Sequence, residues 1–302
     1  MRSFFVLICS LLSLSAQAAE PLRVGITLHP YYSYVSNIVQ SRAEVVPLVD
    51  EGFNPHSYEM QPADLKRLMS MDALVVNGIG HDEFAFHALD TLRSQHGSAS
   101  GSDLKVIQAN ADVPLLAAAH TQGAWNPHTF VSISASIRQL YTIARELGEL
   151  DPDNARFYKQ NAVRFARQLR TIKNSYSQQL TGLDLSGVRI ASTHNAYGYF
   201  LQEFGIGIDT VIEPAHGVEP SASQLQQTID RIRDANIQIL FTELNMDNRY
   251  VSTIEKATGI RIYHFSHMTH GAYDADQFKR EMEQNLQTLV KALRQYADGD
   301  PS

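Results

Sequence analysis

The sequence predicts an α/β fold: two parallel-sheet α/β domains joined by a long rigid helix, with a cleft between them. Two observations carry this. Short apolar runs alternate with helical patterns through both halves of the chain, the signature of parallel βαβ units. Between the halves lies one long stripe, Phe157, Asn161, Phe165, Leu169, Ile172, Tyr176 and Leu180, recurring every three or four residues. It runs about 30 residues, or ~45 Å as a helix. A connection that long and regular is stiff, and it replaces the Gly/Ser-rich linker that a hinge would need.

Taken in order, Leu22 to Leu28 reads as a strand, Tyr31 to Gln40 as a helix and Glu44 to Val49 as a strand. Pro62 opens a helix, because its missing N–H is harmless in a first turn. Ala73 to Val76 is a strand stopped by Asn77-Gly78, Glu83 to Arg93 a helix, and Lys105 to Gln108 a short strand. Ile133 to Leu147 is helical, with Gly148 as its expected end, and Asp151-Pro152 starts the long helix that ends near Thr181-Gly182. In the second half, Val188 to Ser192, Ile208 to Ile212, Ile237 to Thr242 and Ile260 to Phe265 are strand-like. Tyr199 to Phe204, Ser221 to Asn236, Arg249 to Thr258 and Asp276 to Tyr296 are helical, the second of these capped by Ser221. The expected division is a signal peptide over 1–18, an N-terminal α/β domain over 19–130, a helical region over 131–182 and a C-terminal α/β domain over 183–302.

Composition narrows the class. The chain has 302 residues, 44% of them hydrophobic and 19% charged, which is ample for a buried core and excludes a charge-swollen disordered chain. Its net charge of -7 argues against nucleic-acid binding, which needs a basic face. Arg2, the apolar run Phe4 to Leu14 and Ala16-Gln17-Ala18 form a secretory signal with cleavage expected after Ala18. The run is too short to span a membrane. Cys9, the one cysteine, lies early within that run, so lipid anchoring at it is not expected, and the mature chain has neither a disulfide nor a thiolate metal ligand. The expected product is periplasmic, with no direct membrane anchor.

Twelve histidines stand out in a chain with no mature cysteine. His56 follows the second strand in Asn54-Pro55-His56-Ser57-Tyr58-Glu59. His128 precedes the first long helix in Asn126-Pro127-His128. His194 follows the first strand of the second half in Thr193-His194-Asn195. Loops after parallel strands form the ligand-binding edge of open α/β sheets. Neutral imidazole is the commonest zinc ligand, and three of them leave one position for another group. They come from both halves, so the expected site is a metal cleft between the domains. Glu59, Glu83 and Glu243 are candidates to orient ligand rings, while Tyr197 and Trp125 read as cleft wall. His81, His87 and His96 could form a weak accessory site on the helix after Asn77, but His81 and His87 are six apart and fall on different faces, so they read as ordinary residues. Gly78-Ile79-Gly80 lacks the third glycine of a dinucleotide loop.

With those residues in place, the chain resembles the zinc- and manganese-binding solute-binding proteins of bacterial metal ABC importers. The resemblance covers essentially the whole mature chain. It rests on the ordered set Pro55-His56-Ser57-Tyr58-Glu59 with Pro62-Ala63-Asp64, Asn77-Gly78 with Glu83, Asn126-Pro127-His128, His194 to Phe200 with Gly205, Glu219-Pro220-Ser221, Phe241-Thr242-Glu243 and Gly271 to Tyr273. It implies His56, His128 and His194 as metal ligands, zinc as cargo with manganese as the alternative, and a membrane permease as partner; a monomer suits such a shuttle. A histidine at the third position resembles the zinc-type members. The chain departs from the family pattern at Asn126, where most members have aspartate, and at Phe130, where tryptophan is usual. The His/Asp/Glu-rich loop of many zinc members is missing, and no disulfide can form. The aspartate ligand expected after the last strand is also absent, where the chain reads Tyr263-His264-Phe265-Ser266-His267-Met268-Thr269-His270. Strand alternation sets His264 and Ser266 on one face and Phe265 and His267 on the other. His267, one of its neighbours or a water completes the site, with His267 the first choice; His264 and His270 read as a solvent-facing pair, and Asp274 as a turn or cap residue. The rival class is a zinc-dependent hydrolase using the same histidines and a metal-bound water.

Overall fold

The computed structural model describes residues 20–53, 58–96, 104–118, 123–212, 221–244 and 249–299. The signal peptide expected over 1–18, and His56 with its flanking residues, lie outside them. In the first half the chain runs β1 (Leu22–Ile26), α1 (His29–Val39), β2 (Ala43–Pro47), α2 (Pro62–Leu68), β3 (Ala73–Val76), α3 (Glu83–His96) and β4 (Lys105–Gln108). The four strands form one sheet in the order β2-β1-β3-β4, every pair parallel. β3 is buried along its whole length, as a strand covered on both faces must be. Pro62 opens α2 at the first helical position, behind a Gln61–Asp64 capping box.

Two helices then cross the molecule, α4 (Ile133–Leu150) and α5 (Ala155–Leu180). Ser132 caps α4 by accepting from the Ala135 N–H at 3.1 Å. Gly148 does not end α4; the helix continues to Leu150. A Cβ on Gly148 would sit 3.0 Å from the Cβ of Ala155, so the glycine lets α4 and α5 approach closely instead of stopping the chain. The break comes at Asp151. Pro152–Asn154 form a 3-10 turn, and the Asp151 carboxylate accepts from the Tyr158 hydroxyl at 2.6 Å and from Asn154 at 2.8 Å. The 26 residues of α5 extend about 39 Å. The helix packs on α1 and α4 and, at its far end, on the last helix. Its stripe buries Asn161, Phe165 and Leu169 as the sequence predicts, and adds Tyr158. Asn161 donates to the Ile38 carbonyl at 2.9 Å, which ties the buried amide to α1.

The second half repeats the first: β5 (Ile190–Ser192), α6 (Gly198–Gln202), β6 (Thr210–Val211), α7 (Ala222–Asp234), β7 (Ile239–Glu243), α8 (Arg249–Thr258), β8 (Arg261–Phe265) and α9 (Gln277–Ala297). Its sheet has the order β6-β5-β7-β8, again all parallel. The fold is therefore α/β with two parallel four-stranded sheets joined through a long helix. One apolar core runs through both halves, and a smaller cluster including Ile229, Ile232, Leu240 and Ile254 fills the space beneath α7 and α8. Each sheet has a switch point between its two central strands, β1/β3 and β5/β7. Ligands bind at the carboxyl ends of strands at such points.

Candidate metal centre

Three histidines converge at that edge. His194 follows β5, His267 follows β8, and His128 opens a 3-10 turn, His128–Val131, ahead of α4. All three are buried, and one ring nitrogen from each lies within 4.8 Å of the others. The Nε2 atoms of His128 and His194 are 2.9 Å apart. The ring centroids are 4.7 Å apart for His128 and His194, 5.1 Å for His128 and His267, and 5.5 Å for His194 and His267. Imidazoles bound to one zinc through bonds of roughly 2.0–2.1 Å have centroids about 5 Å apart, so the cluster has the dimensions of a shared cation site.

Asn126 sets the His128 ring. Its side-chain oxygen accepts from the His128 backbone N–H at 3.0 Å and from His128 Nδ1 at 2.8 Å. Its Nδ2 donates to the Asn195 carbonyl, beside His194, at 3.0 Å. Because that oxygen can only accept, Nδ1 carries the proton and the Nε2 lone pair faces the cluster. The departure from aspartate at this position therefore keeps the orienting acceptor but removes its charge. Pro127, between the two, restricts the backbone just ahead of the ring.

His267 is reached by a change of backbone direction. β8 ends at Phe265, and the strand alternation stops there: His264 is exposed as expected, but Ser266 is buried. The Ser266 N–H donates to Asn285 at 2.7 Å and its hydroxyl to Glu281 at 2.8 Å. Met268 then adopts a φ of 64°, turning the chain back. His267 Nδ1 lies 3.4 Å from the Thr269 hydroxyl and 3.9 Å from Glu243 Oε1. Of the three glutamates read as orienting groups, Glu243 is buried at the end of β7 beside His267, whereas Glu59 and Glu83 are exposed. Tyr197 is buried, with its hydroxyl donating to the Phe265 carbonyl at 3.3 Å, while Trp125 is half exposed.

His81, read from the sequence as an ordinary residue, also lies beside this group. It does not lie on a helix; α3 begins two residues later, at Glu83. It is buried, with its ring centroid 4.5 Å from that of His128 and 6.3 Å from that of His267. The same signal that selects His194 would have found it, a histidine in the loop leaving a central parallel strand. That turn is held from several sides. The Asp82 carboxylate accepts from the Asn77 and Gly78 N–H groups and from Thr27 Oγ1, and burial pushes this carboxyl up to about 7. Asn77 Nδ2 donates both to the Gly80 carbonyl at 2.9 Å and to the Pro127 carbonyl at 3.0 Å, joining this turn to the His128 loop. Asn77 Oδ1 accepts from Tyr31 at 2.6 Å and from Asn110 at 2.7 Å.

The family model described as ZnuA, zinc-uptake complex component A, periplasmic, matches residues 24–292, and the chain belongs to this family. The protein is a substrate-binding protein of the metal ABC importer type, a family of transport proteins rather than enzymes. It is similar to the SBP FpvC of Pseudomonas aeruginosa. The FpvC structure in complex with Mn2+ shares 47% identity at a TM-score of 0.84, covering 92% of this chain and 100% of that one. The FpvC structure with Ni2+ shares 46% identity at the same TM-score, covering 92% and 98%. Among curated proteins, the metal ABC transporter substrate-binding lipoprotein FimA of Streptococcus parasanguinis is 24% identical over 97% of this chain and 95% of its own length. The manganese-binding lipoprotein MntA of Halalkalibacterium halodurans is 22% identical over 93% and 91%.

Proposed function

We propose that this protein is an exported, periplasmic carrier that binds zinc between its two lobes and hands it to the membrane permease of an ABC importer. His128, His194 and His267 are its ligands, together with His56 from the segment outside the described residues. The observation that carries the reading is the chemistry of the donor set. Three buried imidazoles share one small space, and the adjacent carboxylate, Glu243, lies 3.9 Å from His267 Nδ1. Nitrogen-rich sites suit zinc and nickel, whereas manganese is better served by carboxylates and water. A manganese-carrying role is the second reading, favoured by the Mn2+ complex of FpvC and by the name of MntA.

The ligands bind as neutral rings, so affinity falls as the pH drops below about 6.5, the free imidazole value. His56→Ala, His128→Ala, His194→Ala and His267→Ala each weaken zinc binding at least tenfold in competition titrations. Unchanged isotherms for all four variants would remove the assignment.

A further inference from the structure

We infer that His81 is a direct ligand of the cargo, an imidazole that the first lobe contributes beside His128. The inference rests on the metal-binding reading above and adds a residue to its site. Three observations carry it. The first is position: the His81 ring is buried, 4.5 Å from His128 and 6.3 Å from His267 between centroids. The first separation is close to the roughly 5 Å expected for imidazoles around one metal and the second is wider, which sets His81 beside the group formed by His128, His194 and His267.

The second observation is backbone conformation. His81 has a φ of 73°, in the left-handed region that few residues other than glycine adopt, histidine, asparagine and aspartate being the more tolerant. It is preceded by Gly80 at a φ of 128°, where a Cβ would stand 3.0 Å from the Cβ of Pro127. Backbone strain of this kind persists where the surroundings hold it, and it collects at ligand sites.

The third is fixation. The amide nitrogen of Asn77 joins the carbonyls of Gly80 and Pro127, so the residues preceding His81 and His128 are clamped to each other. Asn77 is itself held by Tyr31 and Asn110, and Asn110 accepts from Gln139 at 2.8 Å. Gln139 also reaches Thr129 at 2.9 Å, one residue beyond His128. The two rings therefore keep their relative placement before any metal arrives, which is what a preorganised donor pair requires. Added to His56, His128, His194 and His267, His81 makes five imidazole donors, one more than an ordinary zinc site holds, and the nitrogen-rich set favours zinc and nickel over manganese.

The test compares the full-length mature protein with His81→Asn and His81→Gly. Both substitutions remove the ring and both tolerate a positive φ, so each variant is expected to keep the circular dichroism and melting temperature of the apo protein. Zinc and nickel affinities are expected to fall at least tenfold in both, with manganese affinity changing less. X-ray absorption of the zinc-loaded protein is expected to show one imidazole fewer in the variants than in the wild type. An unchanged imidazole count would overturn the inference, because a residue that merely positions His128 leaves the count intact. His128→Ala serves as the reference. If the wild type binds zinc, His128→Ala does not, and His81→Asn matches the wild type, then the role of His81 fails alone. If His128→Ala also matches the wild type, the underlying site fails with it.

Discussion

Asn126 shows how one residue decides what a histidine can do. A neutral imidazole has one donor nitrogen and one acceptor, and only the acceptor can take a metal. The Asn126 oxygen, 2.8 Å from Nδ1, places the acceptor on the side of His194 and His267. Asn126→Ala should lower zinc affinity about ten- to a hundredfold, the usual effect of removing a partner that orients a ligand, while Asn126→Asp should retain most of it. Competition titration of both variants checks this, and equal losses in the two would mean that loop packing rather than the acceptor holds the ring. At this scale the sequence was partly legible. His128 and His194 were readable because each stands beside a strand end or a proline-fixed turn. His267 was readable from the place where the family carries an aspartate. The burial of His81 was not, because its Gly-His-Asp-Glu setting reads as a helix start, and nothing in the periodicity shows that the backbone takes a positive φ there.

Among the elements, the segment between β8 and α9 carries His267 and also ties the second lobe to the first. The His29 ring, at the start of α1, lies 2.9 Å from the Gly271 carbonyl through Nε2 and stacks on Tyr273 at 4.7 Å. The Tyr273 N–H donates to Glu51, and its hydroxyl donates to the Val49 carbonyl. Ser33 and Asn37 of α1 donate to the carbonyls of Asp274 and Ala275. Burial lowers the pKa of His29 below the ordinary 6.5, with the Gly271 carbonyl and Glu51 opposing the shift and His270 adding to it. Below pH 6.5 the unfolded chain therefore binds more protons at this residue than the folded one. The stability that the neutral ring supports is present above 6.5 and is lost as the pH falls toward the folded value. Melting curves of the apo protein should show a steeper loss of stability below pH 6.5 in the wild type than in His29→Gln. Parallel curves for the two would separate His29 from the acid response. Strand and helix order was legible here because each element has its own period. The ends were not: Gly148 looks like a stop in sequence but serves a helix crossing, and Ser266 looks strand-like but belongs to a turn pinned by Asn285 and Glu281.

Across the whole molecule, the same strand order, with the first strand of each half beside the third, occurs twice. Each sheet thus turns one switch point toward the cleft, and the histidines collect where the two edges meet. α5 packs against helices of both halves, α1 and α4 on one side and α9 on the other, which suits a rigid frame holding ligands from two lobes at fixed spacing. That architecture was legible from the alternation of elements and the long stripe. The choice of metal was not, because it depends on which nitrogens and carboxylates meet at the cleft, and that is set by packing. The measurement that tests the account most directly is the metal content of the mature, untagged protein, followed by zinc and manganese competition on the apo form. The account predicts about one zinc held per chain that excess manganese does not displace. A protein that takes up no metal, or that exchanges zinc for manganese, would contradict it.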